Sequence, residues 1–201
     1  MIVIGITGNL GTGKSTVSQM LVKLGAVHIN ADEVGHELLQ QDDRTRDEIV
    51  AAFGKSILNA DGQIDRDKLG KLVFDDDTAL ARLDRITHPR ILDVVKQKIV
   101  ESRQTGAGEV VVEAALLIEA GWKPEVDQLW VTIAPEAVIV ERLIKSRGMS
   151  KEQIVDRLRA QMSQAEKIRQ ADEVINTNCS MEELRAKVAE LWENLPAEKD
   201  A

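Results

Sequence analysis

A chain of 201 residues, 43% apolar and 30% charged with a formal charge of −8 at neutral pH, has the balance of a soluble folded protein and lacks the broad basic face of a nucleic-acid binder. Its single cysteine, Cys179, excludes an internal disulfide and a zinc cluster. The longest later apolar stretch, VVVEAALLIEAGW, is interrupted by Glu113 and Glu119 and falls short of the about 18 residues of a membrane helix, and the N-terminal run lacks the basic start of a secretory leader, so a cytoplasmic protein without membrane contact is expected.

The chain opens with IVIGIT, Ile2–Thr7, an apolar run of strand length. GNLGTGKST follows, and beyond it Val17, Met20, Leu21 and Leu24 recur at helical spacing. Strand, glycine-rich turn and helix in that order are the setting that G-x-x-x-x-G-K-[ST] requires, with Gly8, Gly13, Lys14 and Ser15 in the fixed positions. The glycines let successive backbone N–H groups face one concavity. The start of the helix adds unpaired donors and the positive end of its dipole. Gly11, Thr12, Gly13, Lys14, Ser15 and Thr16 are therefore expected to hold a nucleotide polyphosphate. Lys14 is expected to reach the β- and γ-phosphates, and the Ser15 hydroxyl to ligate the Mg²⁺ that bridges them.

Further strands are expected over residues 26–30, 109–114, 128–134 and 173–177, with helical patterns between most of them. This is the signature of an α/β fold with a five-stranded, mostly parallel sheet flanked by helices. Pro135 fits the first position of a helix, and Ser180 with Glu183 forms a capping box for the last one. Far more chain separates the second and third strands than a crossover needs. It has a helical pattern broken at Gly54, at ADGQ around Asp61 and Gly62, and at Pro89. Residues 33–103 are thus expected to be a helical insertion. Residues 142–169, rich in arginine and carrying a capping box at Ser150 and Gln153, are expected to be a lid. The core then comprises 1–32, 104–141 and 170–201.

Asp32 follows the second strand, where ligands of open α/β sheets bind. It suits a base or orienting acceptor for a hydroxyl that attacks the γ-phosphate, and it equally suits an N-cap for a helix starting near Glu33. With Gly35 it also reads as D-x-x-G, but no N-K-x-D accompanies it, so a GTPase is a minor alternative. Glu113 ends the third apolar strand, where an acid would sit near Mg²⁺. Arg142, Arg147, Arg157 and Arg159 can cover phosphates from the lid, or simply form a solvated helix face. His88 and Arg90 flank Pro89; the first suits a cap or core position and the second an anion contact.

Taken together, ITGNLGTGKSTV, INADEVGHELL, THPRI, VVVEAALLIEAGW, ERLIKSRG and RLRAQMSQAEKIRQADEVINTN resemble the dephospho-CoA kinases over nearly the whole chain. The resemblance implies a P-loop NTPase fold with a helical substrate-binding insertion and a lid. The implied activity is transfer of the γ-phosphoryl of ATP to the ribose 3′-hydroxyl of dephospho-CoA, the last step of coenzyme A synthesis. It implies that Asp32, Lys14, Arg142 and Arg147 are catalytic. It places Asn178 near the adenine, Asp32, His88, Arg90, Leu117 and Glu119 at the acceptor, and Ser15 and Glu113 at the metal. The family's usual acid, proline and aspartate are replaced here by Asn30, Ala115 and Asn176. A monomer or weak homo-oligomer acting on small molecules is expected. The rival readings are a kinase for another small acceptor, such as a nucleoside monophosphate, and a nucleotide-driven switch with no second substrate.

Overall fold

The computed structural model describes residues 1–74 and 76–196. Residue 75, in the expected insertion, and residues 197–201, in the expected core, lie outside the described residues. Along the chain, β1 (Ile2–Thr7), α1 (Lys14–Leu24) and β2 (Val27–Asn30) lead into α2 (Ala31–Gln41), α3 (Asp43–Phe53), α4 (Arg66–Phe74) and α5 (Asp77–Gln104). After them come β3 (Glu109–Glu113), β4 (Gln128–Ile133), α6 (Glu136–Arg147), α7 (Lys151–Arg159), α8 (Gln164–Ile168), β5 (Glu173–Asn176) and α9 (Met181–Glu193). The strands are all parallel, in the order β2-β3-β1-β4-β5, and their ends depart from the expected ones by no more than one residue.

Two compact units divide the chain, one formed by residues 1–30 with the described residues from 98 onward and the other by residues 31–97. In the first, β1 is hydrogen-bonded on both edges and covered on both faces, so all six of its residues are buried. That double burial explains why IVIGIT shows no polar alternation. Ile2, Ile4 and Ile6 pack with Val17, Met20 and Leu21 of α1 and with Leu184, Val188 and Leu191 of α9. Full burial of each such side chain stabilises the fold by about 1.5–3 kcal/mol. Leu24 departs from the expected apolar stripe: it is the last residue of α1 and 41% exposed, just before the left-handed Gly25 that ends the helix.

Ala134, Ile139, Leu143 and Ile154 form a second cluster in this unit, joining the end of β4 to α6 and α7, and Leu10 from the glycine-rich loop packs against it. The expected capping boxes at Ser150 and Ser180 are present, and an unexpected third one, Ser163 with Glu166, starts α8. In the second unit Ile49, Ile57, Ile64, Leu69, Val73 and Ala79 make the core, and the ADGQ turn closes an antiparallel bridge between Leu58 and Ile64.

Two expectations are corrected here. Helix α5 runs through Pro89 instead of breaking there. A proline inside a helix costs about 3 kcal/mol, and the other turns of this 28-residue helix, with Ala79 and Val95 buried, outweigh it. Helix α2 begins at Ala31, directly after β2, so Asp32 lies inside the first turn and is not the N-cap. No described helix is long and apolar enough to cross a membrane.

Candidate active site

Beyond the C-terminal end of β1 the glycine-rich loop turns back tightly enough to demand its glycines. At Gly8, where φ is +149°, a Cβ would collide with Thr132 of β4. At Gly13, where φ is +91°, it would come within 3.3 Å of Thr177. Three threonines fix the loop from below. Thr12 Oγ1 lies 2.8 Å from Thr132 Oγ1, and Thr177 Oγ1 donates to the Thr12 carbonyl at 2.8 Å. All three threonines are buried, so their mutual pairing satisfies hydroxyls that would otherwise be costly to bury.

The Lys14 ammonium is folded over this loop, donating to the carbonyls of Gly8 at 3.0 Å and Asn9 at 3.3 Å, with the residue 9% exposed. Ser15 and Thr16 follow in the first turn of α1, Ser15 exposed and Thr16 half-buried. The Ser15 hydroxyl donates to Glu113 Oε1 at 2.6 Å. Glu113 ends β3 opposite Ile6 of β1, which brings the acid to the mouth of the loop. Its second oxygen lies 3.0 Å from His28 Nε2 on β2. Burial pushes this carboxyl up, but the hydrogen bonds from His28 and Ser15 help to outweigh burial, and the carboxyl is held below the ordinary glutamate value.

Two hard oxygens this close suit Mg²⁺, which takes one or two protein side chains and completes its shell with phosphate and water. Among the described residues no group of three or more His, Cys, Asp or Glu is placed to hold a metal by itself. Ser15 and Glu113 therefore fit an ion that arrives with a polyphosphate.

Arg142, on α6, donates to Thr177 Oγ1 at 2.9 Å and to the Thr177 carbonyl at 2.7 Å. It is tied to the segment after β5 that also supports Thr12 and Gly13. Arg147, at the end of α6, is exposed, as are Arg157 and Arg159. Asn178 is exposed next to Thr177, its N–H turned to Asn176 Oδ1 at 2.9 Å.

Leu117 and Glu119, expected at the acceptor, are engaged otherwise in this structure. Leu117 is fully buried, and a Cβ on Gly5 would come within 2.9 Å of it. Glu119 pairs with the fully buried Lys167, whose Nζ lies 2.8 and 2.9 Å from its two oxygens and 3.0 Å from the Ala115 carbonyl.

In the other unit, Asp32 is an exposed residue two positions along the chain from Asn30, which pairs with Glu113 in the sheet register. His88 lies 3.4 Å from Asp84 one turn earlier on α5, and burial pushes the Asp84 carboxyl up while His88 draws it back. Arg90 was expected as an anion contact, but its guanidinium is already neutralised: it lies 3.0 Å from Asp42, 2.6 Å from Glu48 and 2.7 Å from the Thr45 hydroxyl. Thr45 in turn bonds Asp42, the N-cap of α3, so Arg90 ties α5 to the start of α3. Beside it lies a cavity of about 570 Å³ lined by Leu38, Arg44, Arg85, Ile86 and Val94 among others.

His28, Thr132, Thr177 and Lys167 escaped the sequence reading. Each acts through a partner 44 to 165 residues away or on another strand, and only the G-x-x-x-x-G-K-S spacing gives a local signal.

The dephospho-CoA kinase family model matches residues 2–183. A dephospho-CoA kinase of Geobacter sulfurreducens is 42% identical over 96% of this chain and 98% of its own. A Thermus thermophilus protein of solved structure is 32% identical and superposes with a TM-score of 0.82 over 97% of this chain and 98% of that one. The Campylobacter jejuni dephospho-CoA kinase is 26% identical with a TM-score of 0.68 over 95% of each chain. Phosphate loop, parallel sheet and full-length similarity converge, and the chain belongs to the dephospho-CoA kinase family.

Proposed function

We propose that this chain transfers the γ-phosphoryl group of ATP to the ribose 3′-hydroxyl of dephospho-CoA, giving CoA and ADP in the last step of coenzyme A synthesis. The observation that carries the reading is the family match, which spans residues 2–183 and so includes both the phosphate loop and the helical unit that would select the acceptor.

The loop N–H groups from Gly11 to Thr16 would cradle the phosphates, and Lys14 would leave the carbonyls of Gly8 and Asn9 for the β- and γ-phosphates. Ser15 and Glu113 would hold Mg²⁺, which would supply neutralisation of the polyphosphate charge. The hydrogen bonds that Glu113 accepts favour its charged form and offset the cost of burying it. Asp32 would accept or orient the proton of the 3′-hydroxyl, and in-line attack would follow. Arg142, fixed through Thr177, would hold the nucleotide beside Asn178, while Arg147 at the exposed end of α6 would answer charge on the transferred group. The cavity beside Arg90, with Arg44 and Arg85 on its wall, is the acceptor-side candidate, and His88 lies on the same helix. The acidic net charge fits a cytoplasmic enzyme of small molecules, taken as a monomer or weak homo-oligomer.

The test is ADP release from MgATP with dephospho-CoA, phosphopantetheine, nucleoside monophosphates or no acceptor, with mass spectrometry of the product. The expected result is one phosphoryl group added to dephospho-CoA, at the ribose 3′ position. Phosphorylation of another acceptor in its place, or ADP release unaffected by every acceptor, refutes the assignment.

A further inference from the structure

His28 is a half-buried polar residue on the edge strand β2. In the parallel register it stands opposite Val111 of β3, and Asn30 stands opposite Glu113. Residues two apart on a strand share a face, so His28 and Glu113 project to the same side of the sheet from neighbouring strands, two residues out of step. The imidazole spans that offset, with Nε2 3.0 Å from Glu113 Oε2. The His28 side chain is 27% exposed and that of Glu113 only 4%.

The other oxygen of Glu113 accepts the Ser15 hydroxyl at 2.6 Å. An ionised carboxylate only accepts, so His28 carries its proton on Nε2 in this pair. A hydroxyl has one hydrogen and two lone pairs. With its hydrogen on Glu113, Ser15 keeps both lone pairs for a cation. The chain His28, Glu113, Ser15 thus runs from β2 through β3 to the first turn of α1. Without the imidazole, the buried Oε2 loses its hydrogen bond and the carboxyl turns to find another, taking the Ser15 hydroxyl with it. A small divalent ion that demands near-octahedral geometry tolerates little such freedom.

We propose that His28 is a positioning residue for the metal of the nucleotide complex: its Nε2–H fixes the Glu113 carboxylate, and through it the orientation of the Ser15 hydroxyl. This deepens the kinase reading and rests on Ser15 and Glu113 as the side chains that hold Mg²⁺. His28 transfers no proton, and no covalent step is added.

The EPR signal of Mn²⁺ bound with ADP reports the metal without turnover, and calorimetry with ADP in EDTA reports the nucleotide without the metal. His28→Leu removes the donor at similar bulk, and His28→Gln returns an amide N–H near the place of Nε2. In His28→Leu, metal-free ADP should bind within about twofold of wild type, and Mn²⁺ in the ADP complex at least about tenfold more weakly. The Mg²⁺ concentration for half-maximal turnover should rise by a similar factor. His28→Gln should recover Mn²⁺ affinity to within about threefold of wild type.

Mn²⁺ affinity within about twofold of wild type in His28→Leu, no recovery in His28→Gln, or equal loss of ADP binding with and without metal reduces His28 to a packing residue and overturns the proposal. If the Leu variant does not fold, His28→Asn, whose amide is one methylene shorter than that of glutamine, replaces it with the same expectations. Glu113→Ala tests the reading beneath the proposal. Lost Mn²⁺ affinity there, with none lost in His28→Leu, removes His28 alone; wild-type affinity in Glu113→Ala removes Glu113 from the metal, and the proposal with it. Failure of the wild-type protein to bind ADP would overturn the kinase reading itself.

Discussion

Replacing Lys167 by methionine should loosen the joint between the segment after β3 and the return from α7. The ammonium is fully buried and has three acceptors within 3.0 Å, namely both oxygens of Glu119 and the Ala115 carbonyl. Removing one partner of a buried pair costs about 3–5 kcal/mol. The lower end applies here, because the Glu119 side chain is 21% exposed and keeps the Met162 N–H, and the Ala115 carbonyl keeps the Thr7 hydroxyl at 3.3 Å. About 3 kcal/mol corresponds to a fall of about 6–12 °C in Tm for a chain of this size.

The double variant Lys167→Met with Glu119→Gln leaves no uncompensated carboxylate and should regain about 1–2 kcal/mol of the loss. Urea unfolding followed by tryptophan fluorescence reads the right part of the molecule, since Trp122, Trp130 and Trp192 all belong to the sheet-bearing unit. A loss under about 1 kcal/mol for the single variant, or a double variant no more stable than the single, would refute the claim that this buried pair braces the joint.

Asp32→Asn should change stability by less than about 1 kcal/mol, the range of a first-turn charge on a helix dipole, while turnover falls about 10²- to 10⁴-fold; a thermal melt beside the ADP-release assay checks both. Wild-type turnover would remove Asp32 from the chemistry. Arg142→Met, which loses two bonds to Thr177, should raise the KM for ATP more than it lowers kcat; a 100-fold loss of kcat (about 2.7 kcal/mol) at unchanged KM would put Arg142 on the transferred phosphate. Glu113 has a folded pKa below its ordinary 4.5, so the stability it contributes is complete above that value and is lost as pH falls through the folded pKa. Glu113→Gln should therefore flatten the acid side of the stability profile, measured by urea titrations from about pH 3 to about pH 6. An unchanged slope would mean that the Ser15 and His28 contacts contribute no acid sensitivity.

Much of the glycine-rich loop was legible because its geometry is a local device. A strand, a turn that needs glycine at φ values of +149° and +91°, and a helix start are contiguous in the chain, and Lys14 and Ser15 come with them at fixed spacing. Apolar runs likewise disclosed the inner strands β1, β3 and β4, because a parallel sheet covered on both faces shows its burial as near-continuous apolar sequence, while the edge strands β2 and β5 are shorter and only partly buried. Boundaries set by competition between local preferences and packing were less readable. Pro89 argues locally for a break, but α5 continues through it. Asp32 resembled a cap until the helix began one residue before it.

What the tertiary structure alone decided are the partners. Arg90 became the centre of an ion-pair cluster with Asp42 and Glu48, and Glu119 the partner of Lys167. Gln161 reached Leu10 across 151 residues of chain. The amino-acid order specifies which groups exist and which short segments bend or pair, since those depend on neighbours a few residues away. Whether a charge meets solvent, a ligand or a counter-charge depends on which distant segments are packed beside it, and that is settled only when burial forces each polar group to find a partner.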